Sequence, residues 1–205
     1  LAGNSAQQTH WLQAVIGGKQ RLALAVDERS RHDPSRIALE AKSEGQGYRL
    51  HGDKFWVVDG LGADAYVVAA RTSGQPGDTQ GISLFLVPAE TQGLTVSALA
   101  LIDSRNSARL QLDQVQLGSD ALLGTLGEGW TALETALDRG RTCLAAELLG
   151  MAEQLFETTL DYLKTRVQFD TPIGTFQVLQ HRAAQMYIDL ALSRTALMAA
   201  ALARA

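Results

Sequence analysis

Few residues in this chain have the types and spacing that a self-contained catalytic or metal site requires. The sequence contains no Gly-x-Ser-x-Gly nucleophile elbow, no Gly-x-x-x-x-Gly-Lys-Ser/Thr phosphate loop and no His-Glu-x-x-His zinc helix. The histidines are far apart and lack ligand spacing, so no metal site is predicted among His10, His32, His51 and His181. The glycines at 124, 127 and 129 precede a predicted helix, but their spacing favours a flexible joint between domains over a dinucleotide loop.

Composition and charge narrow the possible partners. The chain has 205 residues, of which 46% are hydrophobic and 20% are charged, as in ordinary globular domains. Its 18 Lys and Arg against 22 Asp and Glu give a net charge of −4, so it lacks the basic excess that nucleic-acid binding needs. No stretch has the roughly 18 consecutive apolar residues of a membrane helix, and no signal pattern opens the chain. We therefore predict a cytoplasmic protein with no nucleic-acid partner and no membrane insertion.

The single cysteine and the two ends of the chain support two further predictions, one about packing and one about completeness. Cys143 excludes an internal disulfide and a cysteine zinc cluster, and we expect it to pack in the core. The chain begins at Leu1 rather than Met, and its alanine-rich end has no helix stop. It therefore looks cut at both ends, so a missing catalytic residue would be weak evidence against catalysis.

The elements that must position any site fall into two halves with different hydrophobic periods. Short apolar runs between turn signals predict strands in residues 21–120, with the spacing of an antiparallel β-barrel or sandwich. The predicted strands are residues 22–26, 48–51, 55–58, 65–70, 82–87 and 110–115. Apolar residues three, four or seven apart predict two long helices in residues 121–205, joined by a break at residues 171–174. Such a helical hairpin cannot bury its faces alone, so it needs further helices or a second copy of the chain.

Two motifs within this arrangement resemble the acyl-CoA dehydrogenase flavoprotein family. The first is Lys-x-Trp-Val-Val-x-Gly at residues 54–60, and the second is Arg-x-Gln-Phe-x-x-Pro-Ile-x-x-Phe-Gln at residues 166–177. The resemblance covers almost the whole chain. It implies the end of an N-terminal helical region at 1–20, a β-barrel middle domain at 21–120 and the first two helices of a truncated C-terminal four-helix bundle at 121–205. The sequences at 160–166 and 176–182 look like those of pimeloyl-CoA dehydrogenase small-subunit-like members.

The resemblance implies an FAD-dependent oxidoreductase that converts an acyl-CoA to a trans-2-enoyl-CoA. In this family a carboxylate removes the α-proton while a hydride passes from the β-carbon to the flavin. The implied electron acceptor is an electron-transferring flavoprotein. The implied assembly is a dimer or tetramer of the chain with itself or with a homologous subunit.

The first motif is implied to contact the flavin through Trp56, Val57 and Val58, with Trp56 bordering the isoalloxazine ring. A threonine or serine usually occupies the position of Val58 and donates to flavin N5, which a valine cannot do. The family loop Thr-Glu-Pro-Gly-x-Gly-Ser-Asp corresponds to residues 26–34, where only Glu28 clearly matches and both glycines are absent. Arg29 and Arg31 could offer charge to a phosphate there, or could belong to a solvated surface loop.

The second motif is implied to reach the ADP half of FAD in a neighbouring subunit. An arginine binds pyrophosphate well through its fork of donors, and an aromatic ring packs against a nucleotide. The alternative is a helix-ending arginine with a buried phenylalanine. Asp170 replaces the family's usual glycine and places negative charge near a phosphate site. The cofactor residues assigned here are Arg166, Gln168, Phe169, Phe176 and Gln177.

Asp138 and Arg141 match family positions near the CoA thioester arm, although a charged helix face is the alternative. We assign no catalytic residue. Gly140 stands where some members carry the catalytic glutamate, and Glu134 and Glu147 lie at other positions. The general-base glutamate is expected in a missing C-terminal region.

The leading hypothesis is therefore a fragment of an FAD-dependent acyl-CoA dehydrogenase. One alternative is a non-catalytic partner subunit of a heteromeric acyl-CoA dehydrogenase, which Val58 and the altered 26–34 segment favour. The other is a flavin-dependent monooxygenase of the same fold, which the matches on the CoA side make the weaker reading.

Overall fold

The computed structural model describes residues 2–203, which divide into two compact units. The first unit extends to Glu134 and the second begins at Thr135. The domain division expected from the sequence, with boundaries near residues 20 and 120, stays a prediction.

A short helical segment precedes the sheet. It consists of α1 (Ser5–Gln7), a π-helical turn (Gln8–Leu12) and α2 (Gln13–Ile16). A capping box starts it, because the Asn4 side chain accepts from the Gln7 amide at 2.9 Å and the Gln7 side chain accepts from the Asn4 amide at 2.8 Å. The Gln7 amide group also donates to the carbonyls of Asp120 and Leu122, which ties the segment to a later part of the same unit.

Eight strands of the first unit form one sheet. They are β1 (Leu22–Ala25), β2 (Glu40–Glu44), β3 (Gly47–Val58), β4 (Ala65–Arg71), β5 (Ile82–Pro88), β6 (Leu94–Ala98), β7 (Ser107–Gly118) and β8 (Leu122–Leu123). Their hydrogen-bonded order is β6-β7-β3-β2-β4-β5-β8, with β1 beside β4.

The predicted fold class, a sheet-rich domain followed by helices, is confirmed, but the sheet is not wholly antiparallel. β1 pairs with β4 in parallel over four residues, and β2 touches β4 in parallel at Glu40 and Arg71. The remaining pairs are antiparallel, and the strand path of the described residues does not close into a barrel. The parallel β1–β4 pair is possible because β2 and β3 supply the long connection that a parallel pair requires.

Burial explains the sequence pattern of the strands. β4 and β5 are nearly continuous apolar runs, and almost every residue in them is buried, as expected for strands covered on both faces. β7 alternates buried and exposed residues along much of its length. The core cluster includes Leu50, Val57, Tyr66, Phe85 and Leu110. This buried core supports the first candidate site.

The second unit contains a helical hairpin. α3 (Trp130–Thr165) starts at the end of the first unit and is followed by β9 (Val167–Gln168), β10 (Thr171–Pro172), a 3-10 turn (Ile173–Thr175) and α4 (Gln177–Leu202). The two long helices are antiparallel, with Arg194 bound to Glu153 at 2.6 Å and the rings of Tyr187 and Phe156 6.4 Å apart.

The apolar faces of this hairpin are open. Among the described residues from Thr135 onward, no hydrophobic side chain is buried, and Leu155 is 66% exposed. Cys143, which we expected in the core, is exposed on α3. That prediction is wrong for this chain because no further helix layer covers this part of α3 among the described residues. No helix within residues 2–203 is long and apolar enough to cross a membrane.

Candidate functional site

Trp56 lies on a bulge of β3. The pairing of β3 with β7 shifts register between Lys54 and Val57, and Trp56 within that shift has φ of +56°. A bulky residue in this left-handed conformation is strained, and such strain concentrates at functional sites. The ring is 40% exposed, and its Nε1 donates to the Arg29 carbonyl at 2.9 Å. The bulge therefore presents an aromatic ring to solvent with its polar atom already satisfied.

The two valines after Trp56 have opposite environments. Val57 lies in the core, so only its backbone is available to a ligand. Val58 is 64% exposed and offers an apolar side chain without a donor. At the end of the motif, a Cβ on Gly60 would lie 2.7 Å from the Ala108 Cβ, so the backbone approach there requires glycine.

A buried ion pair lies directly beneath this bulge. The Lys54 side chain is fully buried, and its Nζ donates to Glu28 Oε1 at 2.6 Å and to the Val26 carbonyl at 2.9 Å. Burial lowers the pKa of Lys54 from its ordinary 10.5 to about 8, although the carboxylate of Glu28 opposes this change. The sequence pattern indicates Glu28 but not the pairing with Lys54, because the two residues are 26 positions apart.

The segment at residues 26–39, named here the 26–39 loop, uses much of its own hydrogen-bonding capacity. The carboxylate of Glu28 also accepts from the backbone amides of Ala38 and Leu39 at 2.8 and 3.0 Å. The carboxylate of Asp27 accepts from the Asp33 amide at 3.2 Å and contacts His32 Nδ1 at 2.8 Å. These amides are therefore not free to bind a phosphate, in contrast to the glycine-rich loop that the resemblance describes.

Arg71 braces the far half of the 26–39 loop from β4. Its buried guanidinium donates to the carbonyls of Ser35 and Ile37 at 3.0 and 2.8 Å, and to those of Asp78 and Gln80 on another turn. Burial lowers the pKa of Arg71 from its ordinary value. Arg29 and Arg31, in the near half of the loop, are exposed.

The second candidate site, named here the hairpin tip, comprises residues 166–177 between the long helices. β9 and β10 pair through Gln168 and Thr171, and the two turn residues Phe169 and Asp170 have φ of +55° and +61°. Two successive positive φ values define a type I′ turn, which glycine adopts without strain and aspartate tolerates better than most residues. The turn geometry therefore explains why the family usually carries a glycine where Asp170 stands.

Phe169 is 88% exposed at the hairpin tip, so the alternative of a buried phenylalanine is wrong for this residue. Its ring meets the half-buried Phe176 edge to face with centroids 6.2 Å apart. Arg166, Gln168 and Gln177 are exposed nearby in sequence. The tip therefore displays an aromatic ring, a guanidinium and amide groups on one compact turn.

Asp138 and Arg141 form an ion pair of 2.8 Å on α3. They line a groove of about 600 Å³ between α3 and α4, whose other walls are mainly alanine and leucine, including Ala145, Leu148 and Leu197. An apolar groove with one charged pair fits an elongated ligand that has both apolar and polar parts. The predicted pair is thus brought together, and it lies in the second unit with the hairpin tip.

Two family models match this chain in consecutive order. The acyl-CoA dehydrogenase middle domain matches residues 25–115, and the acyl-CoA dehydrogenase C-terminal domain matches residues 127–205. Together they account for most of the sequence, and the chain belongs to the acyl-CoA dehydrogenase family.

Named relatives agree with this assignment. The human mitochondrial short-chain specific acyl-CoA dehydrogenase is 30% identical over 94% of this chain and 47% of its own length. An acyl-CoA dehydrogenase of Bacillus subtilis is 33% identical over 90% of this chain and 49% of its own length. A glutaryl-CoA dehydrogenase of Mycobacterium smegmatis in complex with FADH2 has a TM-score of 0.87 and 28% identity, covering 100% of this chain and 52% of that structure. The chain thus spans about half the length of the relatives it matches.

Proposed function

We propose that this chain is part of an FAD-dependent acyl-CoA dehydrogenase, an oxidoreductase that desaturates an acyl-CoA thioester to a trans-2-enoyl-CoA. The observation that carries the proposal is Trp56, a strained and partly exposed ring held by its indole nitrogen at a strand bulge. Such a preorganised aromatic surface suits a planar ring system. The family assignment and the FADH2 complex of a similar glutaryl-CoA dehydrogenase support flavin as that ring system.

The residues present fit FAD in part. The Trp56 ring suits the isoalloxazine, and the exposed Arg166, Gln168 and Phe169 suit a pyrophosphate and an adenine. Bound flavin would supply the hydride acceptor. Within this chain, Trp56 would orient the ring system, Arg166 would neutralise phosphate charge, and Phe169 would stack on the nucleotide base.

We propose that the hairpin tip contacts a flavin that is bound by a neighbouring subunit. Its aromatic ring, 88% exposed, has few contacts beyond Phe176 among the described residues, so a surface from another subunit is the proposed complement. This requires a dimer or tetramer, formed with a second copy or with a homologous subunit. An electron-transferring flavoprotein is the proposed electron acceptor.

The groove beside Asp138 and Arg141 is proposed to receive the CoA thioester arm of the substrate. Its alanine and leucine walls suit the apolar part of the ligand, and the charged pair offers one polar anchor. We assign no residue of this chain as the base that removes the α-proton.

A second candidate function is a non-catalytic partner subunit, and Val58 favours it. An exposed valine beside Trp56 cannot donate a hydrogen bond to flavin N5, and the amides of Asp33, Ala38 and Leu39 are already engaged within the loop. The sequences at 160–166 and 176–182 support the finer proposal of a subunit like the small subunit of pimeloyl-CoA dehydrogenase. Nothing among the described residues favours a monooxygenase.

The visible absorbance spectrum of the intact protein, purified alone and with a co-expressed homologous partner, tests the proposal. Flavin bands that an acyl-CoA bleaches in the lone protein would establish a self-sufficient dehydrogenase. A colourless lone protein that becomes yellow and active with its partner would establish the partner subunit. A protein without flavin and without activity in both states would overturn the proposal.

One pair of variants tests whether Val58 limits flavin binding. Val58→Thr restores a hydroxyl beside Trp56 and is expected to increase the flavin retained per subunit. Val178→Thr, at an exposed valine on α4, is the matched control and should leave flavin content unchanged. Equal flavin content in Val58→Thr and the parent protein would contradict the role given to Val58.

A further inference from the structure

One buried ion pair fastens the 26–39 loop at both ends. Lys54 Nζ contacts the Val26 carbonyl where the loop begins, and Glu28, its ion-pair partner, accepts from the amides of Ala38 and Leu39 where the loop ends. Both members of the pair are thus needed to close the loop.

The same pair lies next to the ring of the first candidate site. Lys54 precedes Trp56 by two residues on the bulge of β3, and the intervening Phe55 amide donates to the Asp27 carbonyl at 2.7 Å. The Arg29 carbonyl, one residue after Glu28, accepts from Trp56 Nε1. Hydrogen bonds therefore join β3 to the 26–39 loop on both sides of the Lys54–Glu28 pair.

The Lys54–Glu28 pair is better suited to positioning its neighbours than to stabilising the fold. A buried ion pair contributes little net stability, because removing both charges from water costs about as much as their attraction returns. Its geometry, in contrast, is strict, because Lys54 is fully buried and the Glu28 side chain is only 12% exposed, so each partner must satisfy the other with little water available. Apolar residues of similar volume would fill the space but would not fix the direction of the Arg29 carbonyl.

We propose that Lys54 and Glu28 are positioning residues that set the orientation of the Trp56 ring by fixing the 26–39 loop against the bulge of β3. The inference rests on the proposed function only in its last step, in which the oriented ring meets a flavin. The positioning of the ring itself is a property of the protein without any ligand.

The experiment follows Trp56 in the intact protein. Trp11 and Trp130 are replaced by phenylalanine so that Trp56 is the sole tryptophan, and Lys54→Met is compared with the parent. Without flavin, acrylamide quenching of Trp56 fluorescence is expected to rise, because the loop no longer holds the indole nitrogen. In a titration with FAD, the Kd is expected to increase about fivefold or more, as for the loss of one hydrogen bond.

Two further variants keep the test decisive. Val87→Ala removes buried volume on β5 but none of these hydrogen bonds, so it reports on general destabilisation and should leave quenching unchanged. If Lys54→Met does not fold, Glu28→Gln is judged by the same criteria, since it removes the charge at nearly constant volume. Equal quenching in the parent and the pair variants, or an equal rise in Val87→Ala, would overturn the inference. A specific rise in quenching in a protein that binds no FAD, either alone or with a co-expressed homologous partner, would support the positioning role and refute the proposed function.

Discussion

The two candidate sites sit on bodies of opposite character. Around Trp56 the supporting residues are buried and hydrogen-bonded, from the Lys54–Glu28 pair to the guanidinium of Arg71. At the hairpin tip the supporting helices bury none of their described hydrophobic side chains beyond Thr135. The first site is therefore preorganised by its own chain, whereas the described residues leave the second site open to solvent.

The largest expected effect comes from comparing a buried side chain of the first unit with an exposed side chain of the second. Phe85→Ala, in the core cluster of the first unit, is expected to lower the free energy of unfolding by about 3–5 kcal/mol, because it leaves a cavity. Leu155→Ala, on the open helix face, should cost less than about 0.5 kcal/mol in the 205-residue chain. Urea unfolding followed by circular dichroism measures both. A cost of several kcal/mol for Leu155→Ala would break the comparison, since it would mean that the face is covered.

The next prediction compares the stability cost of breaking a buried ion pair with that of breaking an exposed one. Lys54→Met leaves the Glu28 carboxylate buried without its cation, so we expect a loss of about 3–5 kcal/mol. Lys42→Met removes the exposed Lys42–Glu40 pair on β2 and should leave the free energy of unfolding nearly unchanged. Denaturant titrations at pH 7 check the pair of values. Similar costs for the two variants would show that Lys54 does not hold a buried charge.

A pH series tests whether Lys54 has a lowered pKa in the folded chain. Its pKa in the folded chain is about 8, below the ordinary 10.5, so the folded state releases this proton between those values while the unfolded state keeps it. The unfolded state then binds more protons, and the free energy of unfolding should rise with pH by on the order of 1–3 kcal/mol across this window. The neighbouring charges are Glu28, Asp27 and Arg71. Lys54→Met should lack the rise, and parallel pH curves for the two proteins would contradict the assignment.

The smallest effect concerns the hairpin tip. Asp170→Gly is expected to stabilise the second unit by about 0.5 kcal/mol, because glycine adopts φ of +61° without the strain that a side chain adds. Asp170→Asn removes the charge but keeps a side chain that tolerates this conformation, so its stability should stay unchanged. Thermal unfolding of the three proteins compares them. A gain for Asp170→Asn equal to that of Asp170→Gly would assign the cost to charge instead of backbone.

Local patterns in the sequence predicted the elements that carry a continuous apolar run or a regular apolar stripe. β4, β5 and both long helices lie where period and turn signals placed them, because their side chains face one core or one stripe. The parallel pairing of β1 with β4 was missed, because two strands lie between them and period alone does not determine which strands meet. β2 and β6 were missed because their residues are mostly exposed and carry little apolar signal.

The same distinction applies to the candidate sites, because local patterns revealed some of their features and contacts between distant residues determined the others. The residue types of the two motifs were evident, but the strained backbone of Trp56 and the burial of Lys54 depend on partners far along the chain. The prediction of a buried Cys143 is wrong because it requires the apolar stripe on α3 to be covered, and this stripe is open among the described residues.

The open face of α3 and α4 has a consequence for the behaviour of the 205-residue chain in solution. An exposed apolar helical surface of this length associates with other hydrophobic surfaces, including the same face of another copy. The apparent molecular mass of the 205-residue chain is therefore expected to increase with its concentration.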